Sequence, residues 1–321
     1  MVMFIQETLM PLFEVALRDP FFARIWGVAV FLFQMGVLSF LCIELIKRVE
    51  KLFVKEDGTN WRIVHRERPF FKREFLTELC FPFINMALRI PFGALQLFIF
   101  AWTLEALGVP HQPYSASLQE LPLWVQVCIG VILLDLILYI RHRFVHEFFW
   151  TYHIIHHSVR EITWLSYLRL HPLDSFVMGL IKATCLYFVG FGGEGIAIAA
   201  AVQNHFNRFN HSNINLDYGW PLRYIFVSPN MHRWHHAAND PEAFNKNYAI
   251  VFAWIDVLFG TFYVPKNRLP EEYGVLDENG EHVVGEGLWE QFAYPFRVMR
   301  DDWRAFREKR ASRARHEPAG E

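Results

Sequence analysis

Residues 121–157 read LPLWVQVCIGVILLDLILYIRHRFVHEFFWTYHIIHH and join an apolar stretch to two groups of histidines. From Leu121 to Ile140 the only charged residue is Asp135, and the stretch is about as long as a helix needs to cross the hydrocarbon core of a membrane. The histidines follow directly after the apolar stretch ends. The segment therefore predicts a membrane-spanning helix that carries a histidine-rich region at one end.

Composition places the whole chain in the same class. Of its 321 residues, 53% are hydrophobic and 17% aromatic, which is far too apolar for a disordered protein. A mean hydropathy of +0.15 suits membrane spans combined with a sizeable water-exposed part. The net charge of −2 gives no indication of a nucleic-acid partner, and we expect none.

Other apolar stretches predict further spans. Ile25–Ile43 is uncharged, and Leu79–Leu104 is interrupted by an arginine and a proline near its middle, which predicts either a kinked helix or two short pieces. Ser175–Phe191 and Gly195–Gln203 are shorter and are separated by glycines, which is typical of a tight hairpin. We therefore expect an all-α, multi-pass membrane protein with about four or five membrane-embedded helices and a helical cytoplasmic cap that carries the histidines.

The distribution of lysine and arginine predicts the orientation of the spans. The connection 47–75 holds nine of these residues, whereas the connections 105–120 and 190–195 hold none. Basic connections stay in the cytoplasm, so 47–75 is expected to be cytoplasmic. The span that ends at Ile140 emerges on the same side, which places the histidines at the cytoplasmic face of the membrane.

The histidines are strongly clustered. The chain has 15 histidines, and 11 of them lie between His142 and His236. Most belong to three groups whose spacing is i, i+3 or i+4, which on a helix directs side chains to one face. The groups are His142 and His146; His153, His156 and His157; and His232, His235 and His236.

This number of imidazoles indicates more than one metal ion. Each group can direct two or three rings to a single point, and eight imidazoles exceed the roughly four ligands that a zinc ion accepts. Imidazole is a good ligand for iron. The pattern favours a site for two metal ions.

Two other interpretations remain open at this point. A membrane zinc hydrolase would carry an HExxH motif, but His146-Glu147 is followed by Phe148, Phe149 and Trp150, so the second histidine is missing. A non-catalytic metal- or haem-binding membrane protein is the other alternative, although haem ligation needs far fewer histidines.

The boxes HxxxH, HxxHH and HxxHH, in this order, resemble those of the fatty acid hydroxylase superfamily, which includes sterol desaturases, C4-methylsterol oxidases and alkylglycerol monooxygenases. The likeness covers roughly residues 120–275 and extends to other short motifs: Asp135–His146, Arg169–Pro172, His211–Asn213, Asn247–Tyr248 and Trp254–Phe262. It implies a catalytic region at 120–275 that forms one domain with the preceding spans, an N-terminal membrane region at 1–119 and a C-terminal cytoplasmic tail at 276–321.

The resemblance also implies a site. It would bind two iron ions, with His211 as a ninth ligand beside the eight histidines of the boxes. Those eight are His142, His146, His153, His156, His157, His232, His235 and His236. Asp135 is expected to orient a ligand imidazole, or else to form a hydrogen bond between helices. Glu147 is expected to be a carboxylate beside the ligands or an additional ligand, and His171 a neighbouring donor or a ligand. His205 lies about 240° from His211 on a shared helix and should not face the same point.

The function implied is an O2-dependent oxygenase that hydroxylates or desaturates a C–H bond of a lipid or sterol-like substrate. The chain shows no reductase, flavin or cytochrome segment, so electrons are expected from a separate donor protein. The HxxxH first box differs from the HxxxxH box of carotenoid hydroxylases and some fatty acid 2-hydroxylases, which argues against those substrates.

Overall fold

The structure is a computed structural model that describes residues 73–109, 118, 120–189, 193–266 and 268–316. These residues all belong to one compact unit, Lys55–Glu321. The span expected at Ile25–Ile43 lies outside the described residues.

The described part of the chain is helical and contains no β-strand, only two isolated β-bridges. The prediction of an α-helical fold is therefore confirmed. The helices are α1 (Arg73–Ala106), α2 (Leu123–Phe148), α3 (Trp150–His157), α4 (Pro172–Val189), α5 (Gly193–Asn210), α6 (Pro229–His235), α7 (Ala253–Leu258) and α8 (Leu288–His316), with short 3-10 turns at Ser166–Leu168, Leu222–Tyr224 and Pro241–Ala243.

Three of these helices are long and apolar enough to cross a membrane, namely α1, α2 and α4. The expected span Leu79–Leu104 falls inside α1, and α2 contains the expected span Leu121–Ile140 from Leu123 onward. Helix α1 is continuous through its two internal prolines, so the alternative of two short pieces is wrong. The two shorter apolar stretches lie largely in α4 and α5, each of which packs against α2, and only α4 has the length and hydropathy of a span.

Helix α2 lies at the centre of the membrane-embedded part. It packs along α5 and α4, and α4 packs in turn against α1. The backbones approach closely at two glycines: a Cβ on Gly195 would lie 2.6 Å from Cβ of Gln126 on α2, and a Cβ on Gly179 would lie 2.5 Å from Gln96 on α1. Large apolar side chains on the outer face of α1, such as Ile90 and Phe98, are exposed, as expected for a surface that contacts lipid.

The region after α5 packs onto one end of the spans. Its core contains Met231 from α6 and Ile255 from α7, which contact Tyr139 near the end of α2. A second core brings Val284, just before α8, against Ile155 of α3 and Phe81 of α1. The segment that precedes α8 is thus part of the packed structure, and α8 contacts α3.

Candidate metal centre

The first two boxes follow each other on adjoining helices. His142 and His146 lie on the last two turns of α2, with ring centroids 5.0 Å apart. Phe149 ends α2 and precedes α3, and the change of direction there turns the second box back toward the first. The three histidines of α3 are all buried: His153, His156 and His157.

The third box lies on α6, a helix of only seven residues that is buried along its whole length. A helix this short has little stability of its own, so its ends must be held by other contacts. Ser228 caps its N-terminus, accepting a hydrogen bond from the Met231 N–H, and Pro229 occupies the first turn. His236 is the C-terminal cap residue.

His211 joins the boxes from the end of α5. Its Nε2 lies 2.9 Å from Nε2 of His232 and 3.3 Å from Nε2 of His156. Its Nδ1 faces the Asn207 carbonyl oxygen at 2.8 Å. His205, about 1.7 turns earlier on α5, instead faces the Ala201 carbonyl oxygen and belongs to neither of the two groups of histidines.

The structure divides nine histidines into two neighbouring groups, and within each group the candidate ligand atoms lie within 4.8 Å of one another. The rings of His157 and His236, one from each group, stack with centroids 4.4 Å apart, so the groups adjoin. Group 1 contains His142, His146, His153, His157 and His235, and group 2 contains His156, His211, His232 and His236.

The distances between nitrogens fit ligands of a shared ion. Two nitrogens at about 2.1 Å from one ion are about 3.0 Å apart at a right angle and about 3.4 Å apart at a tetrahedral angle. In group 1, Nε2 of His157 lies 3.1 Å from that of His146, and Nε2 of His235 lies 3.1 Å from that of His142. Nε2 of His153 is buried and has no hydrogen-bond partner among the described residues. The donor set therefore fits a metal ion in each group.

The outer nitrogens of several rings are held by acceptors. Nδ1 of His142 lies 3.0 Å from the Tyr248 carbonyl oxygen, and Nδ1 of His235 lies 2.7 Å from that of Lys246. Each Nδ1–H donates to its carbonyl, which leaves Nε2 with a free lone pair toward the group. Asn247, between the two carbonyls, has a φ of 61°, and its side chain binds the Met231 and Tyr263 backbone. The left-handed turn at Asn247 thus aims both carbonyls at imidazoles.

Asp174 makes the corresponding contact to His153. Its Oδ2 lies 2.8 Å from Nδ1 of His153, and both side chains are buried. Asp174 is not among the site residues expected from the sequence. The feature of the sequence that could have indicated Asp174 is a carboxylate in the first turn of an apolar helix, two residues after Pro172.

Asp135 does not have the expected contact. Its carboxylate accepts hydrogen bonds from the backbone N–H groups of three consecutive residues, Ile250, Val251 and Phe252, at 2.7–3.0 Å. The expectation that it orients a ligand imidazole is therefore corrected. Asp135 ties α2 to the segment between α6 and α7, which also provides the Tyr248 carbonyl.

Two other expected residues lie outside the groups. Glu147 is exposed on α2 and belongs to neither group, so the structure gives it no ligand position. His171 also belongs to neither group; its Nε2 faces the Phe292 carbonyl oxygen, and its Nδ1 accepts from the Leu173 N–H. His171 therefore connects the start of α4 to α8.

Burial keeps the imidazoles neutral. Removal from water lowers the pKa of His211 to about 4 and that of His235 to about 3. It also lowers the pKa of His156, His157, His232 and His236 well below the ordinary value. Neutral imidazoles offer the lone pairs that metal binding requires.

A buried polar network supports the second box. Arg169 donates to the carbonyl and hydroxyl oxygens of Ser158, directly after His157, and to Oε1 of Gln291 on α8. Glu78 of α1 lies 3.8 Å from the Arg169 guanidinium and accepts from Ser166. The network joins α1, α3 and α8 around the end of the box.

A pocket among the described residues reaches group 1. It is lined by His146, His157 and His235 and, around them, by Trp150, Phe244, Asn245 and residues 274–276. It lies among the connecting segments after α6. Group 2 does not line this pocket.

The chain is similar to a known protein family and to several known proteins. A family model for fatty acid hydroxylases matches residues 127–261. An ornithine lipid hydroxylase of Rhizobium tropici is 30% identical over 277 residues, covering 85% of this chain and 76% of the relative. No solved structure matches.

More distant relatives carry related names. An alkylglycerol monooxygenase of Caenorhabditis elegans is 25% identical, over 74% of this chain but only 44% of the relative. A putative methylsterol monooxygenase of Dictyostelium discoideum is 23% identical over 61% of this chain and 72% of the relative. The match to the family model spans the first and third boxes and everything between them, and the chain belongs to the fatty acid hydroxylase family.

Proposed function

We propose that the protein is a membrane-bound oxygenase that uses O2, two iron ions and electrons from a separate donor protein to hydroxylate or desaturate a C–H bond of a lipid. The observation that carries the proposal is the pair of adjoining all-imidazole groups at the end of the membrane spans. The named relatives, which are hydroxylases and monooxygenases, support the same reaction class.

Iron bound in these groups would supply the activation of O2 and the oxidation of an unactivated C–H bond. The residues of the chain hold and orient the ligands. His142, His146, His153, His157 and His235 would bind one ion, and His156, His211, His232 and His236 the other. Asp174 and the carbonyls of Lys246 and Tyr248 fix the tautomers of the rings that they contact.

The fold also supplies the separation from water that such a reaction needs. Nearly all of these imidazoles are buried, and the neighbouring Trp150 and Phe244 line the opening at group 1. Because α2 carries the first box on its last turns, the groups lie where a span leaves the bilayer. We infer that a lipid substrate would approach the groups from the bilayer.

Two cations in the spans favour a lipid with a negatively charged polar part over a sterol. Arg141, next to His142, donates to the Met178 carbonyl oxygen of α4 at 3.3 Å, and its Nε is buried without a partner among the described residues. Lys182 lies one turn beyond Met178, and the positive charge of Arg141 repels that of Lys182. Cations at this depth are costly and usually functional. We infer that they bind the headgroup of the substrate.

The cytoplasmic side is part of the proposal. The histidine end of the spans contains the end of α2 and the beginnings of α1 and α4. Helix α1 begins at Arg73, which is one of the nine basic residues of the connection 47–75. From the positive-inside rule we infer that the histidines face the cytoplasm. An electron donor would approach them from there. The domain boundaries at 120 and 275 rest on the resemblance and remain proposals.

The reaction is tested by isotope incorporation. Membranes containing the protein, a reducing system and oxygen-18-labelled O2 should yield a lipid that carries the heavy isotope, or a desaturated lipid with matched O2 consumption. His156→Ala and His235→Ala should abolish the product, because each removes a ligand that no neighbour replaces, whereas His282→Ala should retain it. Product in both ligand variants would disprove the proposed site.

The headgroup inference is tested in the same assay. Lys182→Met should lower product formation roughly tenfold at limiting lipid while the iron content stays unchanged, and Lys182→Arg should largely restore it, because a cation is retained. If Lys182→Met were as active as the unaltered protein, Lys182 would have no part in substrate binding. The oxygenase proposal would not be affected.

A further inference from the structure

Helix α8 presents a row of large apolar side chains to the outside of the protein. Five of them are between 50% and 79% exposed, although buried positions are the usual place for such residues. We call this row the aromatic strip: Trp289, Phe296, Met299, Trp303 and Phe306.

The aromatic strip occupies one face of the helix. At 3.6 residues per turn, its five members fall within an arc of about 100°. Four exposed arginines occupy the adjoining arc of about 80°: Arg297, Arg300, Arg304 and Arg307. Along its whole length α8 contains eight lysines and arginines against four acidic residues. The helix therefore combines an aromatic face with a net positive charge.

The strip begins at the level where spans leave the membrane. Phe296 contacts the ring of His171, which directly precedes Pro172, the first residue of span α4. The hydroxyl of Tyr152, four residues after the end of span α2, donates to Sδ of Met299 at 3.1 Å. Two strip residues thus lie beside the ends of two spans.

These features select a membrane surface as the partner. Tryptophan and phenylalanine favour the interface between headgroups and acyl chains, and arginines beside them attract anionic lipids. A protein partner or a second copy would not need the strip to lie beside the ends of the spans. We propose that α8 is an interfacial helix whose aromatic strip enters the headgroup region of the same bilayer and whose arginines bind anionic phospholipid headgroups.

The test measures how deeply each face of α8 lies in a bilayer. In the full-length protein with its four native cysteines replaced, a nitroxide is attached at Trp303→Cys or Phe306→Cys on the strip. Matched control labels are attached at Ala305→Cys or Glu308→Cys on the opposite face, which leaves Asp301 in place beside Arg300 and Arg304. The protein is placed in nanodiscs of phosphatidylcholine with or without phosphatidylglycerol, and accessibility to O2 is compared with accessibility to a water-soluble nickel chelate.

The strip labels should be accessible to O2 and protected from the nickel chelate, and the control labels should show the reverse. Phosphatidylglycerol should increase this contrast. The combined change Arg300→Gln, Arg304→Gln and Arg307→Gln should reduce the contrast to its value in phosphatidylcholine alone. This readout is independent of iron and of enzyme activity.

Three results would overturn the inference. Equal accessibility of both faces to the nickel chelate would place α8 in water. Spin–spin broadening of the strip labels that disappears on dilution with unlabelled protein would identify a second copy as the partner. Protection of the strip from both reagents without such broadening would mean that another part of the chain covers it.

Discussion

Asp174 is the side chain on which the orientation of His153 depends. Its carboxylate accepts the Nδ1 proton and leaves Nε2 directed into group 1, where it has no other partner among the described residues. Both groups are otherwise built from imidazoles, so a single carboxylate has an unusually large influence on the charge near the metal.

We expect Asp174→Asn to lower metal affinity or activity about 10–100-fold, because a neutral amide is a weaker acceptor for the imidazole. The measurement is the rate of iron loss to a chelator, compared with Asp217→Asn, which removes a carboxylate that binds Arg223 instead. Equal iron retention in the two variants would show that Asp174 does not support a ligand.

The ligand residues could be predicted from the sequence because their pattern is local. Spacings of three and four place histidines on one helix face whatever the rest of the chain does. The roles of the two carboxylates depended on contacts across the fold. Asp135 binds residues more than 110 positions away, and its place in a span near the first box made it resemble a ligand partner. Asp174 has that role instead.

At the scale of helices, Asp135 fixes the segment 248–252 against α2. Three backbone N–H groups would be buried without acceptors if this carboxylate were absent. Tyr248 and Ala249, which directly precede Ile250, donate their backbone N–H groups to the Asp256 carboxylate. The N–H groups of five consecutive residues, 248–252, are therefore bound by two carboxylates. The Tyr248 carbonyl that faces His142 lies in this segment.

We expect Asp135→Asn to lower the free energy of unfolding by about 1–3 kcal/mol, because the amide directs one N–H toward donors. Thermal unfolding in detergent measures this change. Iron content at saturating iron should stay close to that of the unaltered protein, since Asp135 contacts no imidazole. Loss of one iron per chain with unchanged stability would restore a direct role at the metal.

Helix boundaries were predictable only in part. The apolar runs identified α1, α2 and α4, since hydrocarbon length sets the length of a span. The continuity of α1 through Pro82 and Pro91 was not predictable, because a proline inside a helix is tolerated when neighbouring groups compensate for it. The short α6 has no apolar periodicity that would mark its ends, and its helical form depends on Ser228 and on burial.

For the whole molecule, the orientation in the membrane decides which compartment supplies electrons. A cysteine at Glu278, exposed after the third box, should react with a membrane-impermeant maleimide only after the cells are permeabilised. A cysteine at Leu107, exposed just past the end of α1, should react in intact cells. The reverse pattern would place the histidines outside the cytoplasm and exclude a cytoplasmic electron donor.

The central claim is that the chain holds two metal ions, one in each histidine group. The most direct test is elemental analysis of protein purified without oxygen, for the unaltered chain and for one variant of each group, His235→Ala and His156→Ala. We expect about two irons per chain in the unaltered protein, loss of at least one iron in each of these variants, and no loss of iron in His282→Ala. A single zinc ion, or iron that is unaffected by both substitutions, would contradict it.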